Sequence, residues 1–594
     1  VGASVGASVG ASVGASVGAA VGTGGGGGGA VMGAALAAAR HGAHTALVQD
    51  RPVLGGNASS EVRMHICGAD IHANKPNLRE TGIIEELLLK NRFANPQQSF
   101  NVQDYIFLDA VIGQEGLELF LNTRIIDVRT EDNKICELSA VQSTTEKRFC
   151  FSADIFVDAT GDGYIGFQAG ADFMYGREGK DVFGEPHAPA CSDRRVMGSS
   201  LMFTAKDMGR RMPFAAPSWA YRYTEEDLNF RDHREITSGY WWIEAGAEDI
   251  IGEQDKIYSE LSKMLFGVWD HIKNTEGHHA ENYALDWIAP FPAKRESRRL
   301  TGDYVLREQD LVSHTAFQDV VAYGGWNIDL HIPEGLNCAS LPPNSYVDVE
   351  GCYGIPYRCL YSRNIGNLFL AGRAISVSHI AFASTRVMGT CAVVGQAVGT
   401  AAALCVRRRL SPRDLGERIE VLQELLMKDD CYLPGLKLIT DDDLALQGEL
   451  SCSGGQDTLS NVTNGILRNI GAKINCWQSD GMRKDGEWIC IQWASPKKPK
   501  SVVLRFDSDL SSELTITLSD AIRSRQKPIP SSLIRRFCAE FYLQDQLIHR
   551  IEQNENQLRF CRLDCEGVVA DKIVIRLLET YGDEKARVFG INVY

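Results

Sequence analysis

The sequence predicts an α/β domain built on a parallel sheet, interrupted by an inserted α+β domain and followed by an all-β sandwich. Three observations carry this. Apolar strand-like runs end in polar or glycine turns at 44–50, 153–163 and 367–373; a long aromatic-rich stretch separates the last two; and from residue 450 the pattern changes to alternating strands between turn residues.

The bulk properties fit several globular domains. Lys and Arg number 61 against 76 Asp and Glu, a net charge of −15, which argues against an extended nucleic-acid or anionic-membrane partner. No apolar run reaches about 18 residues, so no membrane-spanning helix is expected. The 16 cysteines are scattered without a C-x-x-C pair, which favours buried free thiols and a reducing compartment. The cytoplasm is the expected location, with the periplasm or secretion as alternatives that the unusual N-terminus leaves open.

That N-terminus, residues 1–24, begins with four copies of Val-Gly-Ala-Ser and reads as an engineered or placeholder tract. Next, GAVMGAALAAARHG (29–42) has strong helix formers, a basic last turn and a terminal glycine. HTALVQD (44–50) then reads as a strand. Glycine tract, helix and strand follow the order of a Rossmann-like, dinucleotide-binding βαβ unit. Counting back from Arg40 places the fingerprint glycines at 26, 28 and 31; Gly26 and Gly28 fit, whereas position 31 is Val. A ribose-binding acid is expected where the strand ends, at Gln49 with Asp50 next in line. Leu54-Gly55-Gly56-Asn57 forms a small polar loop suited to close backbone approach. ADIFVDATGDG (153–163) and NLFLAGRAIS (367–376) repeat the strand-and-glycine-turn form, bringing further strand ends to one crevice.

ATGDG and NLFLAGR, after the glycine-rich unit and the LGGN loop, resemble the FAD-dependent oxidoreductases of the glutathione-reductase and fumarate-reductase type. RESRRLTGDYVL (295–306), YGIPYRCLYSRNIGNLFLAGRAIS (353–376) and SHIAFASTRVMGTCAVVGQAVGTAA (378–402) more closely resemble a bacterial family of FAD-dependent oxidoreductases. The resemblance covers residues 25–430. It implies FAD as cofactor, with Gly26, Gly28, Gln49, Gly56, Asn57, Gly161, Asp162, Gly372 and Arg373 at matching positions. It sets an FAD-binding domain over 25–175 and 353–410, with a substrate domain between them at 176–352.

Oxidising an alcohol at a flavin requires a base for the hydroxyl proton. His379 is the first choice, six residues past Arg373 on a polar loop and seven before Arg386. His65, in EVRMHICGAD, is the second. Arg63 and Arg386 are candidates to neutralise a reduced flavin or an anionic substrate. Within the insertion, Trp241, Trp242, Glu244, Arg295 and Arg298 are candidate pocket residues, because aromatic faces beside polar groups suit sugar rings. The mixed charges of KRESRR can also simply pair with one another. His278-His279 is a doublet with no second ligand at metal-binding spacing, so no metal site is expected.

Residues 411–449 read as an amphipathic helix and linker, and 450–594 as the sandwich. Asn464-Gly465, NCWQS (475–479), the Trp-Ile-x-Ile-x-Trp strand and SVVLRFDSDL resemble discoidin-type carbohydrate-binding modules. The function expected is hydride transfer between FAD and a small polar substrate, a carbohydrate or sugar acid. The alternatives are reduction of an unsaturated carboxylic acid and a non-catalytic glycan-binding protein on a flavoprotein scaffold.

Overall fold

The computed structural model of the protein describes residues 17–22, 28–338, 340–526 and 528–594. Gly26 lies outside them. The chain forms two compact units: the first takes the described residues up to Gly68, Gln98–Leu422 and Ile516–Ser524, the second Ala69–Gln97, Gln423–Thr515 and Arg525–Tyr594.

In the first unit, β1 (Val17–Gly22), β2 (His44–Gln49), β3 (Leu117–Phe120), β4 (Ile155–Ala159) and β5 (Leu368–Leu370) form one sheet in the order β5-β4-β1-β2-β3. Every pair in it is parallel. Val17–Gly22, inside the tract that reads as non-natural, is therefore the central strand. A parallel sheet puts all strand C-termini at one edge, so the glycine turns at 160–163 and 371–373 share an edge with the 50–58 loop.

Two helices of small residues cover this sheet. α1 (Gly28–Arg40) packs on a later helix, Met388–Arg408, so closely that glycine is required where they cross. A Cβ on Gly395 would stand 2.1 Å from Ala30 O, and one on Gly399 2.1 Å from Ala34 O. The length and composition of Met388–Arg408 would also suit a membrane span, but 94% of that apolar window is buried within the protein.

Within the insertion, α2 (Gln254–Asn274) lays Ile257, Leu261, Met264, Leu265, Val268 and Trp269 into a separate core. Phe203 stacks on Tyr240 there, with ring centroids 4.3 Å apart. After β5 come α3 (His379–Thr385), capped by the Ser378 side chain accepting from Ala381 N–H, and α4, the helix Met388–Arg408.

The second unit is a sandwich of two antiparallel sheets. One has five strands: Glu449–Cys452, Glu487–Lys497, Ala570–Thr580, Ile534–Leu543 and Gln546–Gln553; the other has four: Trp477–Gln478, Arg587–Val593, Ser501–Phe506 and Phe560–Asp564. Residues 69–97 join it: Arg79 pairs with Glu85 at 2.8 Å and donates to Ser508 O at 2.9 Å. All the cysteines are free thiols.

Candidate functional site

The strand-end crevice is held together by one short segment, residues 294–299. The charges of KRESRR reach outward to elements far away in sequence, apart from a 3.7 Å approach of Arg299 to Glu296. Lys294 pairs with Asp162, and Ser297 Oγ donates to Asp162 Oδ1 at 2.8 Å. Arg298 donates to Asp162 O at 3.3 Å and lies over the Phe167 ring. Arg299 pairs with Glu178 at 2.9 Å. The Lys294 carbonyl accepts from Asn57 Nδ2 at 3.3 Å, and the Arg295 carbonyl accepts from Arg373 at 2.7 Å. Arg373 also stands 3.6 Å from Asp162. Asn57, Asp162 and Arg373, from three separate strand-end segments, thus meet through 294–298.

Electrostatics follow from this arrangement. Burial would raise the Asp162 carboxyl, but Lys294 and Arg373 outweigh it and hold the group below its usual range. Arg373 is itself buried, and desolvation lowers its pKa against the pull of Asp162.

The glycines of the turns have conformational reasons. Gly56 (φ 57°), Gly161 (φ 79°) and Gly372 (φ 67°) are all left-handed. Gly28 is needed for space: a Cβ there would lie 1.9 Å from Gly55 C, because the start of α1 rests on the 54–57 loop. Val31 is buried within α1. Gln49 ends β2 buried, and its Nε2 donates to Val53 O at 3.1 Å; Asp50 follows in the turn. Arg63 is left-handed (φ 60°) with its guanidinium 4.2 Å above the Trp287 ring. Asn57 Oδ1 is a buried acceptor with no hydrogen-bond partner among the described residues, so the crevice suits a hydroxyl-bearing cofactor that supplies a donor.

His379 opens α3. Its backbone N–H donates to Glu178 at 2.8 Å, and its Nδ1 lies 2.9 Å from Glu296 Oε1. His379 and Glu296 are both buried. Burial pushes the Glu296 carboxyl up, yet His379, Arg299 and the Met197 N–H together hold it below the ordinary value. An ionised carboxylate accepts only, so the His379 Nδ1 carries the shared hydrogen and Nε2 is the nitrogen free for proton transfer.

Arg386, at the other end of α3, belongs to a second buried cluster. It pairs with Asp329 at 2.9 Å; Asp329 meets His331 Nε2 at 3.0 Å; His331 Nδ1 meets Glu244 at 2.9 Å; and Glu244 meets Arg295 at 3.2 Å. Desolvation opposes the charge on Asp329, but His331 and Arg386 hold it well below the carboxylate range. Trp241 stands edge-on to His331, ring centroids 5.3 Å apart, and its carbonyl accepts from Arg295 at 3.2 Å.

Other expected residues separate from these. Trp242 is 2% exposed in the core around α2, with its indole N–H donating to Asp232 O at 2.9 Å; it is packing, and presents no face to a substrate. His65 sits on the segment whose Cys67 carbonyl accepts from Gly389 N–H at the start of α4. Glu296, Lys294 and Asp329 were missed as site residues, since no spacing rule links them to their partners.

A family model described as FAD dependent oxidoreductase matches residues 24–426. No curated protein matches the chain. Similar solved structures include a Streptococcus pneumoniae fucose binding module, SpX-3, at 13% identity and TM-score 0.20, covering 26% of this chain and 97% of that one. The family 32 carbohydrate-binding module of C. perfringens NanJ, in complex with galactose, shares 13% identity at TM-score 0.19, over 25% of this chain and 94% of its own. At these values they carry no argument about what this chain binds.

Proposed function

Because the chain belongs to the FAD dependent oxidoreductase family, we propose that it transfers a hydride between FAD and a small hydroxyl-bearing substrate of the carbohydrate or sugar-acid class. The observation that carries the reading is the buried pair of His379 and Glu296, 2.9 Å apart on the helix that follows Arg373. Gly28, Gly56, Asn57, Gly161, Asp162, Gly372 and Arg373 would hold FAD, and the unpartnered Asn57 Oδ1 fits its hydroxyls. When bound, FAD supplies the two-electron chemistry.

The protein's own part is proton handling and orientation. Glu296 fixes the His379 ring, so Nε2 accepts the proton of a substrate hydroxyl and the carboxylate stabilises the resulting imidazolium. Trp241 and the Arg63–Trp287 stack offer flat, amphipathic walls of the kind that suit a sugar ring.

Reduction of an unsaturated acid has less support. Of the candidate arginines, Arg295, Arg373 and Arg386 already face Glu244, Asp162 and Asp329, and Arg63 lies over the Trp287 ring. The test is anaerobic addition of sugars and sugar acids to the purified yellow protein. Bleaching of the flavin absorbance by a member of this panel supports the reading; bleaching by none, with reoxidation of the reduced flavin by unsaturated acids, overturns it.

A further inference from the structure

We propose that Glu225, His233, His271 and His278 bind a divalent transition-metal ion of the zinc type, which fastens the irregular segment 208–239 to the end of α2. The four side chains come from three places: the irregular segment (Glu225, His233), the last turn of α2 (His271) and the loop beyond it (His278). Their ligand atoms lie within 4.8 Å of one another. The sequence shows the His278-His279 doublet without a partner; folding supplies three.

The distances suit a tetrahedral ion. With metal–nitrogen bonds of about 2.0–2.1 Å, neighbouring donor atoms stand about 3.3 Å apart. His278 Nε2 and His271 Nε2 are 3.3 Å apart, and Glu225 lies 3.0 Å from His271 Nε2 and 3.4 Å from His233 Nε2. The three imidazole centroids are 5.0–5.3 Å from one another.

The outer hydrogen bonds decide what points inward. His233 Nδ1 faces Arg231 O at 2.5 Å, and His271 Nδ1 faces Tyr223 O at 3.1 Å. A carbonyl can only accept, so both rings donate from Nδ1, which leaves each Nε2 turned towards the other imidazoles and the Glu225 carboxylate, the orientation a shared metal ion requires. Glu225 is 70% exposed and borders a surface hollow also lined by Asp232, His233, Glu276 and His278, which provides an entry path.

The experiment loads the purified full-length protein with zinc chloride, removes excess by gel filtration and measures metal per chain and the melting temperature. One tightly held zinc per chain and a raised melting temperature are expected. Glu225→Gln alters an exposed side chain and leaves the imidazoles in place; it should weaken zinc binding at least about 10-fold, and Glu225→Gln/His278→Ala should abolish it. Cobalt(II) should give the visible bands of a four-coordinate nitrogen and oxygen site, lost in the double variant. Absence of stoichiometric zinc from the loaded protein, or wild-type zinc affinity in Glu225→Gln, overturns the proposal.

Discussion

Glu296 Oε1 lies 2.9 Å from His379 Nδ1 although 83 positions separate the two residues in the chain. The carboxylate turns a histidine at a helix start into one with a fixed ring and a known free nitrogen. If His379 is the base, His379→Asn should slow flavin reduction by about 10²-fold or more at saturating substrate. Stopped-flow absorbance reads this directly, and unchanged kinetics would remove His379 from the chemistry.

Glu296→Gln makes a different prediction. The ring keeps a neighbour of the same shape but loses the negative charge that favours the imidazolium. The rate should fall about 10-fold or more, and the acidic limb of the pH–rate profile should move to lower pH. A purely structural role would lower the amount of folded enzyme without moving that limb.

Asp162 compensates two cations, the half-buried Lys294 and the buried Arg373. Asp162→Asn leaves both without their partner charge and disturbs the turn that joins three strand ends. The purified variant should hold less FAD per chain than the parent, measured as flavin absorbance against protein. Equal occupancy would place the cofactor elsewhere.

The crossing of α1 and α4 tolerates no added atom. Gly395→Ala and Gly399→Ala would each put a methyl against a helix backbone carbonyl at 2.1 Å, at a cost of about 2 kcal/mol or more. Thermal melting should show a fall of several degrees, with loss of FAD because α1 carries Gly28. A variant at Gly42, where an added Cβ meets nothing within 4 Å, tests its left-handed φ of 83° instead.

The second unit carries a pH signature. Burial, reinforced by Asp70, lifts the Glu80 carboxyl to about 8. An acid raised in the folded state binds its proton there when the unfolded chain has already released it, so its contribution to stability falls as pH rises from about 4.3 towards 8. Glu80→Gln keeps an acceptor for the Ala69 N–H. It should therefore raise the melting temperature at pH 8 and change it little at pH 5; an equal effect at both values would contradict the assignment.

Much of the scaffold was legible in the sequence because its signals are local. A strand that ends in Thr160-Gly161-Asp162-Gly163 or Ala371-Gly372-Arg373 announces a parallel-sheet edge, since left-handed turns favour glycine. Trp242 was misread as a pocket residue because composition cannot tell a packed indole from an exposed one. The junction of 69–97 with the sandwich unit had no local signal, because Arg79 finds Ser508 only in the folded chain.

The sequence by itself determined the α/β class, the glycine turns and the terminal sandwich, all of which follow from short-range pattern and residue chemistry. Tertiary structure alone decided which charges meet: Glu296 with His379, Lys294 with Asp162, Glu225 with three histidines. The reason is physical. Turn and strand preferences act between neighbours in the chain, whereas ion pairing and metal geometry depend on distances that exist only after packing has brought remote segments together.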